Sequence, residues 1–219
     1  MSKTEEDFVS RTEKLLKARA KAIDAYAAIE GELKNLMTLL LNVDHKQAAI
    51  VFYRVVNSRS RNAMFQDLIR LHCPEFYKPY WPSMFKFISV LDGRRNGIVH
   101  WHIGTRQIVP DDWDVNTGLE PAFLNPTLDS YFPVEDEVPV VTVGDMQDFV
   151  RRCYFVANSI NVFWFFAGGK FEEFKDEIGG DEPTWRETFL QRPAYPPPEA
   201  HPLCRLMQES ENLRTPFRE

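Results

Sequence analysis

Nothing in this chain has the spacing of a metal site or a disulfide framework. Its three cysteines, Cys73, Cys153 and Cys204, are far apart and form no CxxC or Cys/His cluster. Such sparse usage fits a reducing, cytoplasmic setting better than a stapled secreted fold. His45, His72 and His201 stand outside any HExxH-like spacing, and His100 and His102 would point to nearly opposite sides of a helix. No cofactor or metal is therefore expected. The nucleophile elbow GxSxG, the Walker loop and the dinucleotide glycine loop are all missing. Long apolar runs are missing too. The nearest candidate, Cys153 to Ala167, is interrupted by Asn158, Ser159 and Asn161, and it falls short of the roughly 20 residues a membrane span needs. No membrane association is expected. The acidic, polar start, Ser2 to Asp7, has no basic region leading into an apolar core, so no secretory signal is expected.

What is present suffices for a packed core: 44% hydrophobic and 13% aromatic residues in a chain of 219. The net charge of −6 argues against a general nucleic-acid coat. That average conceals an asymmetry. Residues 44–106 hold ten Lys/Arg against four Asp/Glu, which leaves 16 basic and 28 acidic residues for the rest. A basic block inside an acidic chain is compatible with a local anion site, and equally with solvated helix faces.

Periodicity and caps predict helices. Thr4 to Asp7 reads as a capping box opening a helix that runs to Asn42. Its expected apolar stripe is Leu16, Ala20, Ile23, Tyr26, Ala27, Ile29, Leu33, Leu36 and Leu40, spaced by threes and fours. Asp44 with Gln47 marks a second start. The polar patch Asn57 to Asn62 is expected to break that segment in two, because Asn and Ser compete for the backbone. Pro74 is a stop. The next helix is expected from about Pro82 to Ile103, with Gly104 closing it. Residues 105–142, rich in Pro, Asp and Asn, read as an irregular insertion with a small hairpin from the β-like pieces 106–109 and 138–143. Thr142 and Asp145 then cap a strongly apolar helix running from about Gly144 to Phe166. A short acidic helix at Lys170 to Asp176 is closed by Gly179-Gly180, and Pro193, Pro196, Pro197, Pro198 and Pro202 read as an extended, proline-rich tail. The expected class is all-α, an up-and-down helical bundle with an insertion before its last core helix. Its expected boundaries are a helical domain at 1–180 and a tail at 181–219.

One stretch stands out chemically. Leu91 to His102 reads Leu-Asp-Gly-Arg-Arg-Asn-Gly-Ile-Val-His-Trp-His, gathering two arginines, an asparagine and two histidines late in a helix. Arginine is a fixed cation with a fork that matches phosphate, and histidine exchanges a proton near neutrality. On a straight helix Asn96 and His100 share a face, as do Arg95 and His102, while Arg95 and His100 are about 140° apart. The plain alternative is that these cations merely complement the negative end of the helix dipole.

Arg95-Asn96-Gly97-Ile98-Val99-His100 resembles the R-x4–6-H signature of HEPN domains, with Asn96 as the polar residue that commonly follows the arginine. The likeness extends to helix order over about residues 10–166. It implies a homodimer in which the motif helices of two subunits face each other, and a metal-independent endoribonuclease of the toxin–antitoxin or phage-defence kind. Arg95, Asn96 and His100 would be the catalytic trio: Arg95 on the scissile phosphate, His100 in proton transfer, Asn96 orienting the site. Arg94 and His102 would be auxiliary substrate-binding residues. The resemblance also admits RNA, and an antitoxin or other protein, as partners. Because some family members are non-catalytic, a binding or assembly module recognising a protein, nucleotide or RNA is the alternative. Its expected contact surfaces are Asp111 to Glu137 and the tail.

Overall fold

A computed structural model describes residues 3–107, 119–125 and 140–213 of the chain. In order, its elements are α1 (Lys3–Leu41), α2 (His45–Arg54), α3 (Ser58–His72), α4 (Pro74–Tyr77), α5 (Tyr80–His100), β1 (His102–Gln107), β2 (Leu119–Asn125), β3 (Val141–Thr142), α6 (Val143–Ala167), α7 (Phe171–Ile178), α8 (Glu182–Leu190) and α9 (Pro202–Leu213). The class is all-α, a helical bundle, and the described strands form one small antiparallel sheet. No described helix is long and apolar enough to cross a membrane. The chain divides into two compact units, Met1–Ala25 with Gly93–Val150 and Tyr26–Asp92 with Arg151–Glu219. The helices α1, α5 and α6 contribute residues to both.

In the first unit the sheet has the order β1-β2-β3. β1 pairs with β2 from His102↔Asn125 to Gln107↔Leu119, with a register shift between Gly104 and Thr105. Thr105 faces Pro121, and a proline has no N–H to give the ladder, so a bulge at that point is the natural accommodation. β3 joins through Phe123↔Thr142 and Leu124↔Val141. The expected hairpin is thus a larger sheet whose central strand, β2, lies in a stretch read from sequence as irregular. Residues 108–118 and 126–139, with most of the expected contact surface Asp111 to Glu137, lie outside the described residues. α6 begins as its cap predicts. The Asp145 carboxylate accepts from the Thr142 N–H (2.9 Å) and hydroxyl (2.6 Å), and the Asp145 N–H donates back to Thr142 Oγ1 (3.1 Å). Those same hydroxyl and N–H donors hold the Asp145 carboxyl below the usual carboxylate range.

The second unit carries an aromatic core. Trp81 packs against Phe85 (5.4 Å) and edge-on to Phe163 (4.9 Å), and Phe163 meets Phe189 at 5.1 Å. Two polar ties cross this core. Asp92 accepts from the Tyr26 hydroxyl (2.9 Å) and the Ser58 hydroxyl (2.5 Å). Arg61 pairs with Glu30 at 2.8 Å while its guanidinium lies 4.5 Å over the Phe52 ring. The Asp44–Gln47 capping box forms with both reciprocal bonds. The expected break falls at Asn57, whose side chain accepts from Ser60 N–H to start α3.

Several expectations need correction. α1 already includes Lys3, so Thr4 is helical rather than the cap. The N-terminal half of its stripe is mis-phased: Leu16, Ala20, Ile23 and Ala27 are exposed, whereas Leu15, Ala22, Ala25 and Ala28 are buried. From Tyr26 to Leu40 the expected stripe, Ala27 apart, is the buried one. α5 starts at Tyr80 and ends at His100, not Ile103, because the chain turns there into β1; Gly104 is a strand residue. Residues 181–219 are not simply an extended tail. Asp181 caps α8 by accepting from Thr184 N–H, Trp185 and Phe189 are buried, and α9 follows the prolines.

Candidate functional site

The motif sits on the last two turns of α5, in the first unit. Arg94, Asn96 and His100 are exposed, Arg95 is half-buried, and Gly97 and Ile98 are buried. The helix therefore anchors itself on Gly97 and Ile98 and offers its polar residues outward. His100 is the last helical residue; His102 opens β1 and is exposed. Arg95 and His102 consequently do not share a helical face, because the strand interrupts the rotation that would have aligned them.

Three contacts fix this end of α5. Trp101 continues the hydrogen-bond pattern, its N–H donating to Gly97 O at 2.9 Å, and its indole lies over Gly97. Glycine permits that close approach without displacing the ring. A Cβ at position 97 would meet the ring at 3.1 to 3.3 Å. Arg19 of α1 donates through Nη2 to the carbonyl of Val99, the residue before His100. Carbonyls in the last turn of a helix lack intrahelical partners, and a cation there also suits the helix dipole. Finally, Arg94 lies 3.6 Å from Asp148 of α6. Of the expected auxiliaries, Arg94 thus faces an acid within the same unit, while His102 is displaced onto the sheet.

Sequence reasoning missed Arg19, Trp101 and Asp148. Trp101 lay inside the quoted stretch and was marked by its i, i+4 relation to Gly97. Arg19 and Asp148 carry no local signal. Each belongs to a charged helix face, and each reaches the motif across a long chain separation.

The arrangement can bind an anion with guanidinium groups and exchange a proton with an exposed imidazole. Among the described residues, no group of three or more His, Cys, Asp or Glu side chains converges as metal ligands would. No protein-family model, no curated protein and no solved structure matches this chain.

Proposed function

We propose that this chain is a metal-independent endoribonuclease of HEPN type that works as a homodimer. The supporting observation is the half-buried Arg95 and the exposed His100 on the closing turns of one helix, whose end is tied by Arg19 and Trp101. In this reading Arg95 grips the non-bridging oxygens of the scissile phosphate and stabilises the charge that builds there. His100 takes the proton from the RNA 2′-hydroxyl as it attacks phosphorus. The P–O5′ bond breaks to leave a 2′,3′-cyclic phosphate, and the departing 5′-oxygen takes a proton from an imidazolium or from water. Asn96 orients that site. Five residues along a helix rotate a side chain by about 140°. Two copies of the motif facing each other supply what one helix presents on divergent faces.

Purified protein should cut single-stranded RNA in the presence of EDTA. Arg95→Ala and His100→Ala should each lower cutting by about 10²-fold or more with unchanged circular dichroism. Cutting that survives in both variants, or that stops with EDTA, overturns the proposal.

A different observation favours a second reading, a non-catalytic binding module. Ile50 and Tyr53, three apart on one face of α2, and Val56 just beyond it are 64%, 63% and 87% exposed. Apolar side chains so grouped commonly serve recognition. If the module reading holds, no RNA is cut, and Ile50→Ser with Tyr53→Ser abolishes binding of a protein partner.

A further inference from the structure

The only histidine whose ring is held from both sides among the described side-chain bonds belongs to the second unit. His201 immediately precedes α9. Its Nδ1 accepts from the Leu203 N–H at 3.1 Å, and its Nε2 lies 2.9 Å from Thr188 Oγ1 on α8. The Thr188 hydroxyl proton is committed elsewhere, to the Thr184 carbonyl at 2.8 Å. These bonds define the tautomer. A ring nitrogen that accepts from an amide carries a lone pair, so the one proton of the neutral ring resides on Nε2 and is donated to Thr188. The ring also meets Trp185 edge-on at 5.0 Å, and the Trp185 indole N–H donates to Gly179 O at 2.7 Å.

Other ties hold α9 further along. Leu203 is buried, Asn158 and Ser210 exchange hydrogen bonds at 3.1 and 3.2 Å, and Arg205 donates to the Glu177 carbonyl at 2.8 Å. His201 links the residue before α9 to Thr188 of α8.

We propose that His201 is a proton-operated latch on α9: a proton on Nδ1 withdraws the acceptor that holds the Leu203 N–H and loosens the first turn of the helix. The protonated nitrogen would point a donor at the Leu203 donor. It would also put a positive charge at a helix N-terminus, where the dipole opposes it. The ring also borders a cavity of about 140 Å³, lined by Tyr80, Ser159, Thr188, Arg192, His201 and Leu203 among others. Ionisable groups border the ring's surroundings on several elements. Tyr80 and Arg192 border that cavity, and Glu199, Cys204 and Arg205 border the cleft on the other side. Burial keeps the Tyr80 hydroxyl and the Cys204 thiol protonated, and Arg205 is paired with Glu209 at 3.4 Å.

Burial lowers the His201 pKa below the ordinary histidine value. A released ring therefore binds a proton more readily than a latched one. The latch is fully closed above the ordinary value of about 6.5 and weakens as pH falls through it toward the lowered value.

Amide hydrogen exchange over residues 203–212 of the full chain, corrected for intrinsic rates, tests this at about pH 7.5 and about pH 5. Acidification should cut protection in the native protein about tenfold. His201→Asn keeps an acceptor for the Leu203 N–H but cannot gain a proton there, so its protection should not change between the two conditions. Equal acid loss in both proteins, or none in the native protein, overturns the latch. Should His201→Asn fail to fold, a ring-nitrogen resonance titration of the native protein decides. An Nδ1–H tautomer at neutral pH, or a His201 titration at or above the ordinary value, also overturns it.

Discussion

The indole of Trp101 covers Gly97 so closely that a Cβ there would meet its ring at 3.1 to 3.3 Å. This contact joins the helical half of the motif to the strand that follows. Gly97→Ala gains about 1 kcal/mol of helix propensity, and the half-buried indole can move by a few tenths of an ångström. Its stability should stay near that of the native protein while the Trp101 indole resonance shifts. Gly97→Val demands more space and should cost about 1–3 kcal/mol. A Gly97→Val protein with the native urea midpoint and an unshifted indole would show that the contact is idle.

Arg19 holds the carbonyl next to His100. Arg19→Met retains the apolar stem and removes the cation, so it should cost about 1 kcal/mol, as expected for a charged hydrogen bond at a partly exposed helix end. If the site cuts RNA, kcat should fall with little change in KM, because Arg19 positions His100 rather than touching substrate. Arg19→Lys should restore part of the rate. Equal kinetics for Met and native protein would rule out a positioning role.

The Arg61–Glu30 pair is largely shielded, with side-chain exposures of 10% and 27%. Removing one member of a pair so enclosed leaves the other without compensation, at a cost of about 3 kcal/mol. Arg61→Ala should lose more than Glu30→Gln, since it also vacates the Phe52 face. Urea unfolding of the two variants gives the order directly.

Alkaline conditions should destabilise the fold in steps. Burial raises the pKa of Cys153 and Tyr80, and burial followed by the Asp92 charge raises that of Tyr26. The unfolded chain loses these protons at ordinary values, about 8.5 for Cys and 10 for Tyr, while the folded chain keeps them. Their contribution is intact below the ordinary values and lost as pH rises beyond them, by about 1.4 kcal/mol per pH unit for each group. Cys153→Ala should flatten the stability curve between about pH 9 and pH 10. An unchanged slope would show that Cys153 is not among the groups responsible.

Much of the helix punctuation was legible because it is local. Asp44 with Gln47, Asn57, Thr142 with Asp145, and Gly179 each act within one turn of chain, and each performs the role that its side chain or backbone freedom suggests. The start of α8 was legible as well, from Asp181 followed by Pro183, but the density of prolines further on obscured it. The phase of α1 was not. Its N-terminal half has two apolar stripes, Leu16-Ala20-Ile23-Ala27 and Leu15-Ala22-Ala25-Ala28, and periodicity cannot say which one turns inward.

The sequence by itself determined the all-α class, most helix boundaries and the position of Arg95, Asn96 and His100 late in one helix, since these depend on side chains a few residues apart. Tertiary structure alone decided where that helix stops. Pairing with β2 takes over the chain at His102, although Pro121 made β2 look unlike a strand. It also decided that Arg19 and Trp101 brace the motif and that Thr188 reaches His201. Those contacts depend on the packing of separate segments, and no local pattern encodes which distant side chain will arrive.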